Sequence, residues 1–315
     1  MINTAMVYRQ FGKPEEVLQP ETGLKAKRAE HHLRVKMLLA PVNASDLIPI
    51  TGAYRHRVSV PAVAGYEGVG RVIDAPSQYA ALIGQRVLPL RAEGTWQQYV
   101  DCPPAFAIPV PHDIDNVLAA RAYINPLAAR LMLRHDNPAG KTVMITAAGS
   151  DCALLLGQWA QRLGASSVYG VYRSASHQEK LTRCGIIPVQ QEDTAYLSTI
   201  TARCDLVYDA VGGALAALIL DGMKPEGIFV SYGLLSGKPY QIRDSHPITK
   251  WFHVRHYLNG FTDNGWQQAF NEIWDLLRES ELNDCKLYPL ASWQQAVSCY
   301  RQPGSACRPL LQLGE

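Results

Sequence analysis

Two stretches of this chain combine residue types and spacing that can do chemistry. The first is the turn Ala147-Ala148-Gly149-Ser150-Asp151-Cys152-Ala153, which follows the strand-like run KTVMITAA and enters a helical segment directly. At such a turn, backbone N–H groups can approach a pyrophosphate at a helix N-terminus, and glycine suits the approach because a Cβ would block it. Only Gly149 is present, so the same residues also fit a helix simply N-capped by Ser150 or Asp151. The second stretch is Tyr172-Arg173-Ser174, at the end of the next strand-like run. A dinucleotide fold places the adenosine ribose there. An acidic side chain would bind a free 2′-hydroxyl and repel a phosphate, whereas arginine offers a planar fork to a 2′-phosphate, with Ser174 as a further donor. The first acidic residue beyond is Glu179. An ordinary surface arginine would look the same, but turn and arginine together point to NADPH.

Other charged residues are less specific. Arg55-His56-Arg57 reads as a solvated loop, or as a basic segment that attracts a carboxylate or a CoA phosphate. Asp46 and Glu67 could hold a hard cation, yet two isolated carboxylates more often serve as hydrogen-bonding groups. The expectation is no metal.

The elements that must position these residues differ along the chain. Up to about residue 110 the runs HLRVKMLLAPV, GYEGVGRVIDA, IGQRVLPL and TWQQYVDCP are short, β-rich and punctuated by Gly and Pro, as in an irregular barrel. From about residue 115, strands alternate with helices. KTVMITAA, SSVYGVYR, CDLVYDAVGG and PEGIFVSYG supply strands, and DCALLLGQWAQRLGA and HQEKLTRCG supply helices that close at Gly164 and Gly185. That alternation argues an α/β fold with a doubly wound parallel sheet. The last 55 or so residues hold one clear helix, WQQAFNEIWDLLRES, followed by strand-like ends.

Composition excludes several function classes. Thirty basic and 28 acidic residues in 315 leave a net charge of +2, which recruits neither nucleic acid nor an anionic membrane surface. No apolar run approaches the roughly 20 residues that span a bilayer. The opening MINTAMVYRQFG lacks the charged-then-apolar pattern of a signal segment. The seven cysteines are scattered, without CxxC spacing, and read as reduced core thiols. The expected location is cytoplasmic.

A family resemblance joins these observations. LLAPVNASDLIPITGAYRHRVSVPAVAGYEGVGRVID is similar to the N-terminal core of the zinc-free medium-chain dehydrogenases/reductases, in particular the 2-enoyl thioester reductases and quinone oxidoreductases. YINPLAARLML, GQWAQRLGA, YDAVGG and EGIFVSYGLLSGKP match in the same order, and the SYGLLSG segment leans towards the mitochondrial-type enoyl reductases. The resemblance implies a GroES-like β-rich catalytic domain over 1–114 and 257–315, interrupted by a Rossmann domain over 115–256, with the active site in the cleft between them. It implies NADPH as cofactor, held by Asn125, Gly149, Ser150, Asp151, Cys152, Ala153, Tyr172, Arg173, Ser174, Tyr232 and Gly233.

Where zinc-dependent relatives need thiolate and imidazole ligands, this chain has Asn43-Ala44-Ser45-Asp46 and Gly65-Tyr66-Glu67, with neither Cys nor His. Without zinc, another group must stabilise the charge left on the thioester oxygen when hydride reaches the β-carbon. Tyr54 matches the tyrosine given that role in the enoyl reductases, as hydrogen-bond or proton donor. Asn43 and Asp46 match the NxSD segment that shapes the pocket floor. Two departures stand out: the basic residues after Tyr54, and Asp151, which brings negative charge towards the expected pyrophosphate while suiting a helix N-terminus.

The leading expectation is thus NADPH-dependent reduction of an activated carbon–carbon double bond, a 2-enoyl thioester. A quinone oxidoreductase is the alternative, and a catalytically degenerate NADPH-binding protein a third. The partner is a small-molecule substrate, and the resemblance implies a homodimer formed by edge pairing of two Rossmann sheets.

Overall fold

The computed structural model describes residues 1–258, 260–305 and 307–314. The chain divides into two compact units. Met1–Ile124, Thr262–Arg278 and Asp284–Glu315 form the first, and Asn125–Phe261 with Glu279–Asn283 the second.

The first unit is built on a seven-stranded sheet. Its strands run Asp284–Pro289, Cys307–Gln312, Leu33–Pro41, Val69–Asp74, Arg86–Pro89 and Ala107–Pro109, with Tyr99–Cys102 also pairing to Leu33–Pro41. A three-stranded sheet, in the order Leu18–Leu24, Ile2–Tyr8, Ala62–Val63, covers part of the same core. Leu33, Val35 and Met37 alternate inward and join Met6, Leu18 and Trp96 there. Their burial removes apolar surface worth about 25 cal/mol per Å². The β-rich punctuation of the sequence is therefore a barrel-like pair of sheets.

Helix Asp263–Arg278 buries Trp266, Ala269, Phe270, Ile273, Trp274 and Leu277, a stripe at helical spacing. Its Trp266 ring meets Phe106 and Tyr123 edge to face, at 5.9 and 6.3 Å centroid distances. A second C-terminal helix, Trp293–Arg301, was not expected from the sequence. Trp293, Ala296 and Val297 bury its inner face, but it spans little more than two turns between a proline and a glycine, too short for the periodicity to stand out.

The second unit holds a six-stranded, wholly parallel sheet. Its order is Ile187–Gln190, Ser167–Tyr172, Thr142–Ile145, Leu206–Asp209, Ile228–Ser231, Ile248–Trp251. Numbered along the chain, that is third, second, first, fourth, fifth, sixth, the doubly wound order of dinucleotide-binding sheets. The inner strands are almost continuously apolar because helices cover both faces. Helix Asp151–Arg162 buries ten residues, Asp151 to Ala160. It ends at Gly164, whose φ of 86° is the left-handed conformation of a helix stop. Among the described residues no helix is long and apolar enough to cross a membrane.

Candidate functional site

In the second unit the expected cofactor residues gather at the carboxyl ends of the parallel strands, where open α/β sheets bind ligands. Strand Thr142–Ile145 leads into the turn and Ser150 caps the helix, its Oγ accepting the Ala153 N–H at 3.3 Å. Two residues of this turn have conformational reasons of their own. Ala147 is left-handed, with φ 49°, a conformation that favours glycine. Gly149 lacks a Cβ because one would lie about 2.5 Å from the His177 imidazole. His177 is buried against the turn from the short helix Ala175–His177, a contact with no local signal in the sequence.

Asp151 is buried at the first helical position. Its Oδ1 accepts the Asn283 N–H at 3.1 Å and Nδ2 at 2.7 Å, and the same Nδ2 donates to the Gly149 carbonyl at 2.9 Å. The negative charge that the sequence placed towards a pyrophosphate is thus engaged by Asn283 and favoured by the helix dipole. The Cys152 thiol donates to the Asn125 carbonyl at 3.9 Å. Burial, reinforced by Asp151, pushes it up to about 12, so it stays protonated and inert as a nucleophile.

The end of the fourth strand supplies a group that sequence reasoning passed over. Asp209 is fully buried and accepts Thr146 Oγ1 at 2.6 Å, the Val211 N–H at 3.1 Å and the Gly212 N–H at 2.9 Å. Burial raises its pKa while these donors oppose the rise. It locks the ends of the first and fourth strands together. YDAVGG carried the resemblance, and a buried carboxylate before two glycines was the available signal.

Beyond strand Ile228–Ser231, the Tyr232 N–H donates to the Asp209 carbonyl at 2.8 Å. Its hydroxyl is buried with no hydrogen-bond partner among the described residues. Burial, with Cys152 and Asp209 nearby, holds its pKa well above the ordinary value, and Ser150 pulls the other way without reaching hydrogen-bonding geometry. Gly233 lets the chain pass close to Ala210, whose carbonyl oxygen would be 2.9 Å from a Cβ there.

At the end of the second strand, Tyr172 is buried and its hydroxyl donates to Gln178 Oε1 at 3.3 Å. Arg173 is exposed and makes no ion pair among the described residues, and Ser174 Oγ lies 3.0 Å from Ser176 Oγ.

The first unit brings Asn43, Asp46 and Glu67 together. Asp46 Oδ2 accepts the Asn43 N–H and Oδ1 the Tyr66 N–H, both at 2.8 Å. Glu67 Oε1 accepts Asn43 Nδ2 at 2.6 Å, and Oε2 accepts the N–H groups of Tyr123 at 3.2 Å and Ile124 at 2.8 Å. Burial pushes Asp46 up to about 7 and Glu67 up to about 8, against the pull of those donors. All four carboxylate oxygens therefore serve the chain's own N–H groups. Tyr54 is half-buried in the turn after helix Pro49–Thr51. Its carbonyl accepts the N–H groups of Arg57 at 2.9 Å and Val58 at 3.0 Å, and the Arg57 guanidinium sits 3.7 Å over its ring.

Residues 29–112 match the alcohol dehydrogenase GroES-like domain family. A solved structure from Bacillus thuringiensis, provisionally described as an NADPH:quinone reductase, is 32% identical over the whole of both chains, with a TM-score of 0.91. The mitochondrial enoyl-[acyl-carrier-protein] reductase of Mus musculus is 29% identical over 98% of this chain and 88% of its own length. Etr1p, solved with NADP and crotonyl-CoA, shares the fold at a TM-score of 0.84 and 21% identity, over 99% of this chain and all of its own.

Proposed function

We propose that this chain, which belongs to the medium-chain dehydrogenase/reductase superfamily, is an oxidoreductase that uses NADPH to reduce the activated double bond of a 2-enoyl thioester. The observation that carries the reading is Tyr54, a phenol displayed on a hydrogen-bonded turn in the unit that also holds the Asn43–Glu67–Asp46 network.

The residues of the second unit fit the cofactor. The uncapped N–H groups of the first helical turn suit a pyrophosphate. The buried, unpartnered Tyr232 hydroxyl is a polar atom awaiting an acceptor or donor. Exposed Arg173, with Ser174 beside it, suits a 2′-phosphate. When bound, NADPH supplies hydride.

The chain's own residues do the rest. Reduction at the β-carbon leaves negative charge on the thioester oxygen, and the Tyr54 hydroxyl donates a hydrogen bond to it, or its proton to the α-carbon. Asn43 and Asp46 shape the floor beside it. No metal is needed for this step, and the oxygens of Asp46 and Glu67 are already committed to N–H donors.

Tyr54→Phe tests the assignment. Turnover of crotonyl-CoA should fall roughly 10²- to 10³-fold, the loss expected for one oxyanion donor, while NADPH affinity stays near the parent's. Turnover close to the parent's would remove Tyr54 from the mechanism. A quinone acceptor is the second reading, favoured by the similarity to the Bacillus thuringiensis protein. It spreads charge over a ring, so its reduction should depend far less on Tyr54.

Assembly as a homodimer fits the same reading. Strand Ile248–Trp251 forms an edge of the parallel sheet and leaves Ile248 60% and Trp251 56% exposed, apolar surface that pairing with a second copy would cover.

A further inference from the structure

The three residues after Tyr54 form a compact basic segment, Arg55-His56-Arg57. Several other arginines are paired with carboxylates: Arg9 with Glu21, Arg28 with Asp74, Arg34 with Asp101, Arg278 with Asp113. Arg55 and Arg57 have no carboxylate partner among the described residues, and both are exposed with His56 between them.

These charges are also held in place. Gly52, at φ 85°, turns the chain, and the Arg55 N–H and Nε both donate to its carbonyl, at 3.1 and 3.2 Å. The Arg57 guanidinium covers the Tyr54 ring at 3.7 Å, and the His56 ring meets the same ring edge-on at 6.4 Å. Stacking holds a guanidinium by its face and leaves its N–H edges for hydrogen bonds. Two guanidinium groups without a carboxylate partner among the described residues, carried on one short turn, offer an oxyanion charge-assisted hydrogen bonds from both.

The geometry points to Arg55 and Arg57 as specificity-determining residues that bind an oxyanion carried by the substrate, so that anionic acceptors are selected over neutral ones with the same reacting group. This rests on the reading of Tyr54 as the group that faces the substrate. The oxyanion is a phosphate of a CoA thioester or a carboxylate on the acyl chain, and substrate pairs tell the two apart.

The test compares ratios of kcat/KM, because general damage to the turn lowers every substrate together. Crotonyl-CoA is measured against the crotonyl thioester of N-acetylcysteamine, which lacks the phosphates. That neutral thioester is in turn measured against its ω-carboxylated analogue. Arg55→Gln should reduce one of these anionic-to-neutral ratios about tenfold, the worth of one charge-assisted contact, and Arg55→Gln with Arg57→Gln about a hundredfold. Arg55→Lys should restore part of the loss, and 0.5 M salt should lower the parent's ratio in the same way. Loss of the first ratio identifies phosphate and loss of the second identifies carboxylate. Ratios unchanged in the double variant would overturn the inference. If the parent reduces neither thioester, the enoyl reductase reading fails by itself. Reduction of 1,2-naphthoquinone-4-sulfonate against 1,2-naphthoquinone, with calorimetry of CoA binding, then decides: dependence on Arg55 in either upholds the oxyanion site, and independence in both removes it.

Discussion

Ala147 offers a direct measurement of strain in the strand-to-helix turn. Its φ of 49° places it in the left-handed region, at a point where related turns use glycine. An L residue there costs about 1–2 kcal/mol, because Cβ crowds the following carbonyl oxygen. Glycine avoids that cost but gives up about 0.5–1 kcal/mol to its greater freedom in the unfolded chain. The balance favours Ala147→Gly by about 0.5–1 kcal/mol. With a urea m-value of about 2 kcal/mol/M, its unfolding midpoint should rise by about 0.25–0.5 M. Ala147→Val should move the midpoint the other way by at least as much, since a β-branched side chain tolerates this region worst. Urea titration of cofactor-free protein followed by far-UV circular dichroism reads both. A glycine variant less stable than the parent, or a valine variant equal to it, would refute the strain argument.

Three further outcomes follow from the geometry. Arg173→Ala should erase a preference for NADPH over NADH that we expect to be at least about tenfold in catalytic efficiency; a preference that survives the substitution would place 2′-phosphate recognition elsewhere. Glu67 is raised from 4.5 to about 8, so the folded state keeps a proton that the unfolded chain has released. Stability should therefore fall as pH climbs from about 4.5 to about 8, and Glu67→Gln should flatten that decline in Tm, with parallel slopes counting against a raised carboxyl. Gln can satisfy the site, its oxygen accepting the N–H groups of Tyr123 and Ile124 and its amide facing a turned Asn43. Asn283→Ala removes the side-chain donor to Asp151 and Gly149 and should cost about 2–4 kcal/mol in the same urea titration, a loss below about 1 kcal/mol showing that the contact is dispensable.

Periodicity made the second unit legible, because strands buried on both faces and helices between them leave apolar runs of different length in the sequence. The doubly wound parallel sheet expected from that alternation is the one found, while the order of its strands had no local mark in the sequence. What escaped were side chains whose importance is made by distant partners. His177 matters through Gly149, and a histidine in a short polar segment carries no mark of burial. Asn283 lies 132 residues from Asp151, beyond any local pattern. Asp151 looked like a misplaced charge because its partner was invisible, while Asp46 and Glu67 could be read as hydrogen-bonding groups because two isolated carboxylates more often serve that role than hold a cation. Helix Trp293–Arg301 failed for want of length.

The clamp from Asn283 to Asp151 also bears on how the chain is made. At 5–20 residues per second, the 132 residues between them take on the order of ten seconds to leave the ribosome. The parallel sheet ends at Trp251, so its strands can all pair while Asp151 is still without Asn283 and Gln158 without Glu281. The first unit waits longer still: Leu33–Pro41 can pair early with Val69–Asp74 and Tyr99–Cys102, but its end at Leu39–Pro41 pairs with Cys307–Gln312, which emerges much later. A nascent chain thus carries an unfinished β-rich segment, with an unpaired strand edge, until Cys307–Gln312 emerges. Deletion of Cys307–Gln312 should therefore harm the first unit before the second.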